Sequence, residues 1–124
     1  MTTIAESSLT EPERRVVERF VELLTEHLGD DLRSVWIYGS RARGEKPREE
    51  SDVDLLVVSS RGDSLFDLAP VWELLEQAAD AEGQSPYWFS PALYTPERLA
   101  QRREIRSFFI QEVDRDKVVL YGDP

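Results

Sequence analysis

Two apolar runs joined by a short charged link constrain this chain more than any other feature. The first, Val35-Trp36-Ile37-Tyr38, ends in Gly39-Ser40-Arg41-Ala42-Arg43-Gly44. The second opens with Ser51-Asp52-Val53-Asp54 and continues as Leu55-Leu56-Val57-Val58. A run of β-formers predicts a strand over residues 34–39. The unbroken Leu-Leu-Val-Val run predicts a second strand over 52–59, central and buried on both faces. The link from Glu45 to Ser51 is charged and carries Pro47, so it is expected to be exposed and mobile.

If the two strands are antiparallel neighbours, the end of one meets the start of the other, and Ser40 lies beside Asp52 and Asp54. Alternation along a strand puts Asp52 and Asp54 on one face, roughly 7 Å apart at the backbone, and sends Val53 and Leu55 to the other. Carboxylates that close repel, and a divalent cation removes the penalty. Hard oxygen donors in an incomplete shell suit Mg²⁺, which completes its coordination with substrate phosphates and water. The same pair can serve a two-metal site for in-line displacement. The Gly-Ser turn complements it. Gly39 lets the backbone approach a phosphate, and Ser40 offers an amide and a hydroxyl. Residues 40–43 are expected to begin a short helical turn whose N–H groups attract anions. Arg41 and Arg43 add guanidinium forks for phosphate, and Gly44 ends the turn tightly. The combination points to a nucleoside triphosphate bound with Mg²⁺. The bland alternative, two solvated aspartates opening a strand, runs against β-propensity.

The remainder supplies a scaffold. A chain of 124 residues fits one domain with a core of its own. Without cysteine there is no disulfide or thiolate site. Its one histidine, His27, excludes a multi-histidine metal site within the chain and reads as a helix-end surface residue rather than a catalytic one. The N-terminus shows neither signal-peptide pattern nor membrane span, so the expected location is the cytoplasm. A formal net charge of −10 argues against non-specific binding to a nucleic-acid backbone and reads first as a solvated acidic face.

Residues 1–9 read as a frayed arm. Thr10, Pro12 and Glu13 form a helix start with a capping box, followed by apolar residues at helical spacing from Val16 to Leu28 and a stop at Gly29. Gly62 marks a loop, and Ser64 with Asp67 offers a second capping box ahead of a helix over 65–81. Pro70 is expected to kink that helix or mark its first turn. Residues 87–94 read as a third strand, demoted by Pro91 to an edge or a bulge. A single third helix follows Thr95-Pro96, with Leu99, Ile105, Phe108, Phe109 and Ile110 as core positions. Residues 116–121 form a last strand, giving the order α-β-β-α-β-α-β. Trp36, Trp72, Trp88, Phe89, Phe108 and Phe109 are expected to build the core or an interface. Tyr87-Trp88-Phe89 on an edge strand suggests a dimer contact.

Gly39-Ser40-x3-Gly44-x7-Asp52-x-Asp54, following Val-Trp-Ile-Tyr, resembles the minimal nucleotidyltransferases of the DNA polymerase β superfamily. The resemblance covers nearly the whole chain. It implies an α/β (α+β) domain, a mixed β-sheet flanked by helices. It also implies Mg²⁺ held by Asp52 and Asp54, a triphosphate held at Gly39, Ser40, Arg41, Arg43 and Gly44, and transfer of a nucleoside monophosphate from ATP or another triphosphate. The resemblance also implies a partner, since small members are often encoded beside a helical HEPN-type protein as antitoxins that adenylylate it. One departure stands out. The family's third-strand carboxylate is missing, and Ser90 falls near its place. Glu97 or Glu104 could substitute only if the following helix turns toward the site. The resemblance therefore implies a protein adenylyltransferase, with a catalytically weak binding module as the alternative. A small-molecule transferase, such as an aminoglycoside nucleotidyltransferase, would need an added acceptor domain.

Overall fold

The computed structural model describes residues 7–44, 52–61 and 65–124. Most of the expected N-terminal arm, the link 45–51 and the capping box at Ser64 lie outside these residues. Helix α1 spans Glu11–Leu28, and its start is closed as the sequence predicts. The Thr10 amide donates to Glu13 Oε1 at 2.8 Å, and the Glu13 amide donates to Thr10 Oγ1 at 3.3 Å. These two bonds satisfy amides that a helix start otherwise leaves unpaired. Its apolar stripe of Val16, Val17, Phe20, Leu24 and Leu28 is buried, and Gly29 caps the end.

A 3₁₀ turn leads into β1 (Leu32–Tyr38), and the four-residue helix α2 (Gly39–Ala42) follows at once. Strand β2 runs Val53–Ser59, helix α3 Leu65–Ala81 and strand β3 Phe89–Tyr94. Helices α4 (Pro96–Glu104) and α5 (Phe108–Asp116) and strand β4 (Val118–Gly122) complete the chain. Pro70 stands inside α3 rather than in its first turn. The sheet order is β3-β2-β1-β4. β1 is antiparallel to β2 and β4, while β2 and β3 run parallel, so the sheet is mixed as expected. β3 is an edge, where the missing N–H of Pro91 can face the open side without breaking a ladder.

Alternation gives the sheet two covered faces. Val35, Ile37, Val53, Leu55 and Val57 pack under α1 and α3. Trp36, Leu56 and Val58 pack under Leu99 of α4 and Ile110 and Val113 of α5. β2 is thus buried on both sides, which is why its sequence is continuously apolar from Leu55 to Val58. Trp36, wholly enclosed, donates its indole N–H to the Asp123 carbonyl at 2.8 Å and has Lys117 Nζ 4.2 Å from its ring centre.

The single third helix of the sequence reading is two helices. After Glu104 the chain turns through Arg106, whose φ is 55°. The Ser107 amide reaches back to the Arg102 carbonyl at 3.0 Å and the Arg106 amide to the Arg103 carbonyl at 3.2 Å. That bond pair is a Schellman stop formed without its usual glycine, so no residue type announced it. The break redirects the apolar residues around it. Leu99 and Ile110 are buried as expected, but Ile105, Phe108 and Phe109 are exposed, Phe108 at 87 %. The strained left-handed position yields a test. Arg106→Gly should raise stability by about 0.5–1 kcal/mol, read as a higher urea midpoint with an unchanged slope.

Candidate functional site

The register of the sheet assembles the site. Asp54, the second residue of β2, sits opposite Tyr38 at the end of β1 and opposite Ser90 on β3. It lies on the α4/α5 side, in phase with Leu56 and Val58. Asp52 immediately precedes the strand, and the Ser90 hydroxyl donates to its Oδ2 at 3.3 Å. Gly39 holds a left-handed φ of 80°. A Cβ placed there would meet Asp54 Oδ2 at 2.7 Å. The Asp54 carboxylate therefore rests against the backbone of the Gly-Ser turn, and glycine is demanded twice, by conformation and by space. Ser40 is half-buried beside it, in the first turn of α2. Gly44, also at φ 80°, closes the turn by donating its amide to the Arg41 carbonyl at 3.3 Å.

Asp52 and Asp54 repel each other across a half-buried site. Burial pushes Asp54 up to about 6, and the negative charge of Asp52 pushes the same way. Burial likewise raises Tyr38 to about 12, helped by Asp54 and Tyr94. Among the described residues no cation pairs with Asp52 or Asp54, and no group of three or more acidic or histidine side chains gathers to hold a metal. Two hard oxygen donors, relieved among the described residues only by the Ser90 hydroxyl on Asp52, fit a divalent cation whose remaining ligands would come from substrate and water. Asp52 and Asp54 are the residues that would hold it.

The arginines expected at the phosphate are engaged elsewhere. Arg41 is buried. Its Nε donates to Ser8 Oγ and its Nη2 to the Ser8 carbonyl, each at 2.9 Å, and the guanidinium also pairs with Glu13. It bolts α2 to the start of α1. Arg43 pairs with Asp116 at 2.9 Å. The buried Asp116 carboxyl is held below its usual range by Arg115 first and, against the cost of burial, by Arg43. Neither acid suggested on the following helix replaces the missing one. Glu97 lines a groove of about 580 Å³ with Val58, Ser60 and Asp123, at the far end of β2 from Asp54. Glu104 is exposed at the end of α4. Sequence reasoning missed the Ser90–Asp52 bond and the place of Tyr38 at the site. Both depend on strand register, and only the phase of each strand relative to Asp54 hinted at them.

A family model described as a nucleotidyltransferase domain matches residues 14–121. The chain belongs to the nucleotidyltransferase domain family. Among solved structures, a mutant form of the toxin–antitoxin pair MntA–HpeT is similar. Its TM-score is 0.50 at 23 % identity, over 86 % of this chain and 72 % of that one. A candidate nucleotidyltransferase from Sulfolobus solfataricus matches with a TM-score of 0.50 at 20 % identity, over 90 % of this chain and 83 % of that one. At such identities these likenesses establish the shared fold. No protein of curated function matches.

Two outcomes are expected from this geometry. Gly39→Ala should cost about 1–3 kcal/mol in a denaturant melt, because the new methyl group drives Asp54 from its seat at an unfavourable φ. The second concerns pH. Asp54 has a folded value near 6 against an ordinary 3.8. The folded state therefore keeps a proton that the unfolded chain releases, and metal-free stability falls as pH rises from about 4 to 6. Asp54→Asn should melt above the wild type at pH 7.5 in EDTA, by about 1 kcal/mol after allowance for partial solvent screening, and the two should converge near pH 4.

Proposed function

We propose that this chain transfers a nucleoside monophosphate from ATP to a hydroxyl group on a helical partner protein, and that it acts in the cytoplasm as the antitoxin of a HEPN/MNT-type pair. The seating of Asp54 against Gly39 carries this reading, because it brings to the Gly-Ser turn a carboxylate that already feels the charge of Asp52. In the proposed reaction, Gly39 and Ser40 hold the triphosphate, and Asp52 and Asp54 hold Mg²⁺. The acceptor oxygen bonds to the α-phosphorus, the bond between the α- and β-phosphates breaks, and pyrophosphate leaves with its electron pair. The hydroxyl proton passes to solvent, since Ser90 is no base. Bound Mg²⁺ supplies neutralisation of the polyphosphate and of the aspartate pair. Family membership supports the transferase class, and the similar MntA–HpeT structure is that of a toxin–antitoxin pair.

The Ser90–Asp52 hydrogen bond favours a second reading, in which contact alone neutralises the partner and chemistry is slow or absent. One experiment separates the two. The chain, labelled ATP, Mg²⁺ and the product of the adjacent reading frame are incubated together, beside the Asp52→Asn/Asp54→Asn double variant. The transferase reading expects label on the partner with the wild type and none with the variant. Absence of label from both, with the variant still neutralising the partner, would establish the contact reading instead.

A further inference from the structure

Among the described residues the most exposed large apolar side chain is Phe108, and its neighbour Phe109 is 36 % exposed. They open α5, which packs on the same sheet face that carries Asp54. Phe109 is held in place from behind. Its ring meets Tyr38 edge-on at 5.4 Å and Tyr94 at 6.1 Å with a 33° tilt. Tyr94 is backed in turn by the Arg98 guanidinium, 4.4 Å from its ring centre. Tyr38 is both the cross-strand partner of Asp54 and the residue before Gly39. A row of braced rings therefore leads away from the carboxylates and the Gly-Ser turn, ending in an aromatic surface open to solvent.

Packing at the edge of the core accounts for the buried part of Phe109, against Tyr38 and Tyr94, but not for Phe108 or for the exposed part of the Phe109 ring. Ile110 and Val113 already fill the α5 side of the core, while the Phe108 ring is left almost wholly in water. An aromatic surface held rigid by other rings loses little freedom on binding and presents a π-face to a planar ligand. The planar part of a nucleoside triphosphate is its base.

We propose that Phe109 is the platform on which the nucleobase of the donor triphosphate stacks, with Phe108 closing one side of it. This rests on the reading of Gly39-Ser40 as the phosphate cradle. The ribose bridges from that cradle across Tyr38 to the platform. A ring face accepts any base, so the platform adds affinity without choosing between adenine and guanine.

The test compares ATP with inorganic tripolyphosphate, each titrated with Mg²⁺ by calorimetry. Wild type should bind ATP on the order of tenfold or more tightly than tripolyphosphate, the size expected of one stacked base. Phe109→Leu keeps apolar bulk against Tyr38 and Tyr94 but has no π-face. It should erase that difference and leave tripolyphosphate binding unchanged, and Phe109→Trp should restore it. Phe108→Ser, at a position too exposed to threaten folding, should lower ATP affinity alone by a smaller factor. Equal affinity for ATP and tripolyphosphate in the wild type, or an unchanged ATP affinity in Phe109→Leu, overturns the platform while the cradle stands. Failure of both ligands to bind overturns the platform and the cradle together.

Discussion

A carboxylate pressed against a glycine backbone is the contact on which the functional end of this molecule depends. Asp54 can lie on Gly39 only because β1 and β2 are antiparallel with Tyr38 opposite Asp54. That register is fixed from both sides of the sheet. A slip of one residue would turn Leu56 and Val58 toward α1 and α3, and Leu55 and Val57 toward α4 and α5. Each fully buried residue of this kind is worth roughly 1.5–3 kcal/mol. The core thus holds the acid pair in position against a repulsion that favours dispersing it.

The same end of the sheet is braced by ion pairs that leave the carboxylates alone. Arg41 reaches back to Ser8 and Glu13, and Arg43 reaches across to Asp116. A buried pair is a weak source of net stability, since desolvation offsets much of the attraction, but breaking one is costly. Such pairs fix position. They attach α2 to the first helix on one side of the sheet and to the last helix on the other. Glu13 serves both the capping box and Arg41, so the start of α1 and the turn at Gly39 are set by one carboxylate.

Local rules made much of this legible. The capping box at Thr10 and Glu13, the apolar stripe of α1, the doubly buried β2, the edge position of β3 and the short helix after Gly39 follow from spacing and residue type. Phase alone placed Asp52 and Asp54 at the mouth of one strand. What stayed hidden depends on distant partners or on backbone that residue type does not mark. Arg41 looked like a phosphate ligand because its partners lie at the start of α1, far away in sequence. The break at Arg106 was invisible because the left-handed residue is not glycine, and without that break Ile105, Phe108 and Phe109 extend a helical apolar pattern into an apparent core. Sequence periodicity cannot show that such a pattern has turned outward.

The serine at position 90 has a consequence for stability as well as for chemistry. A carboxylate there would place a third negative charge opposite Asp54 and within reach of Asp52, in a site that already drives Asp54 up to about 6 without a cation. Each added like charge raises the cost of the empty site and tightens its hold on a metal. Ser90 reverses both effects, because it donates a hydrogen bond to Asp52 instead of repelling it. The folded chain is then less dependent on a cation, and a cation bound there would be held by fewer protein ligands and more by the phosphates it arrives with. On the proposed reading, a site of this composition would tie metal occupancy to nucleotide occupancy. The contact that seats Asp54 on Gly39 is where those two ligands would meet.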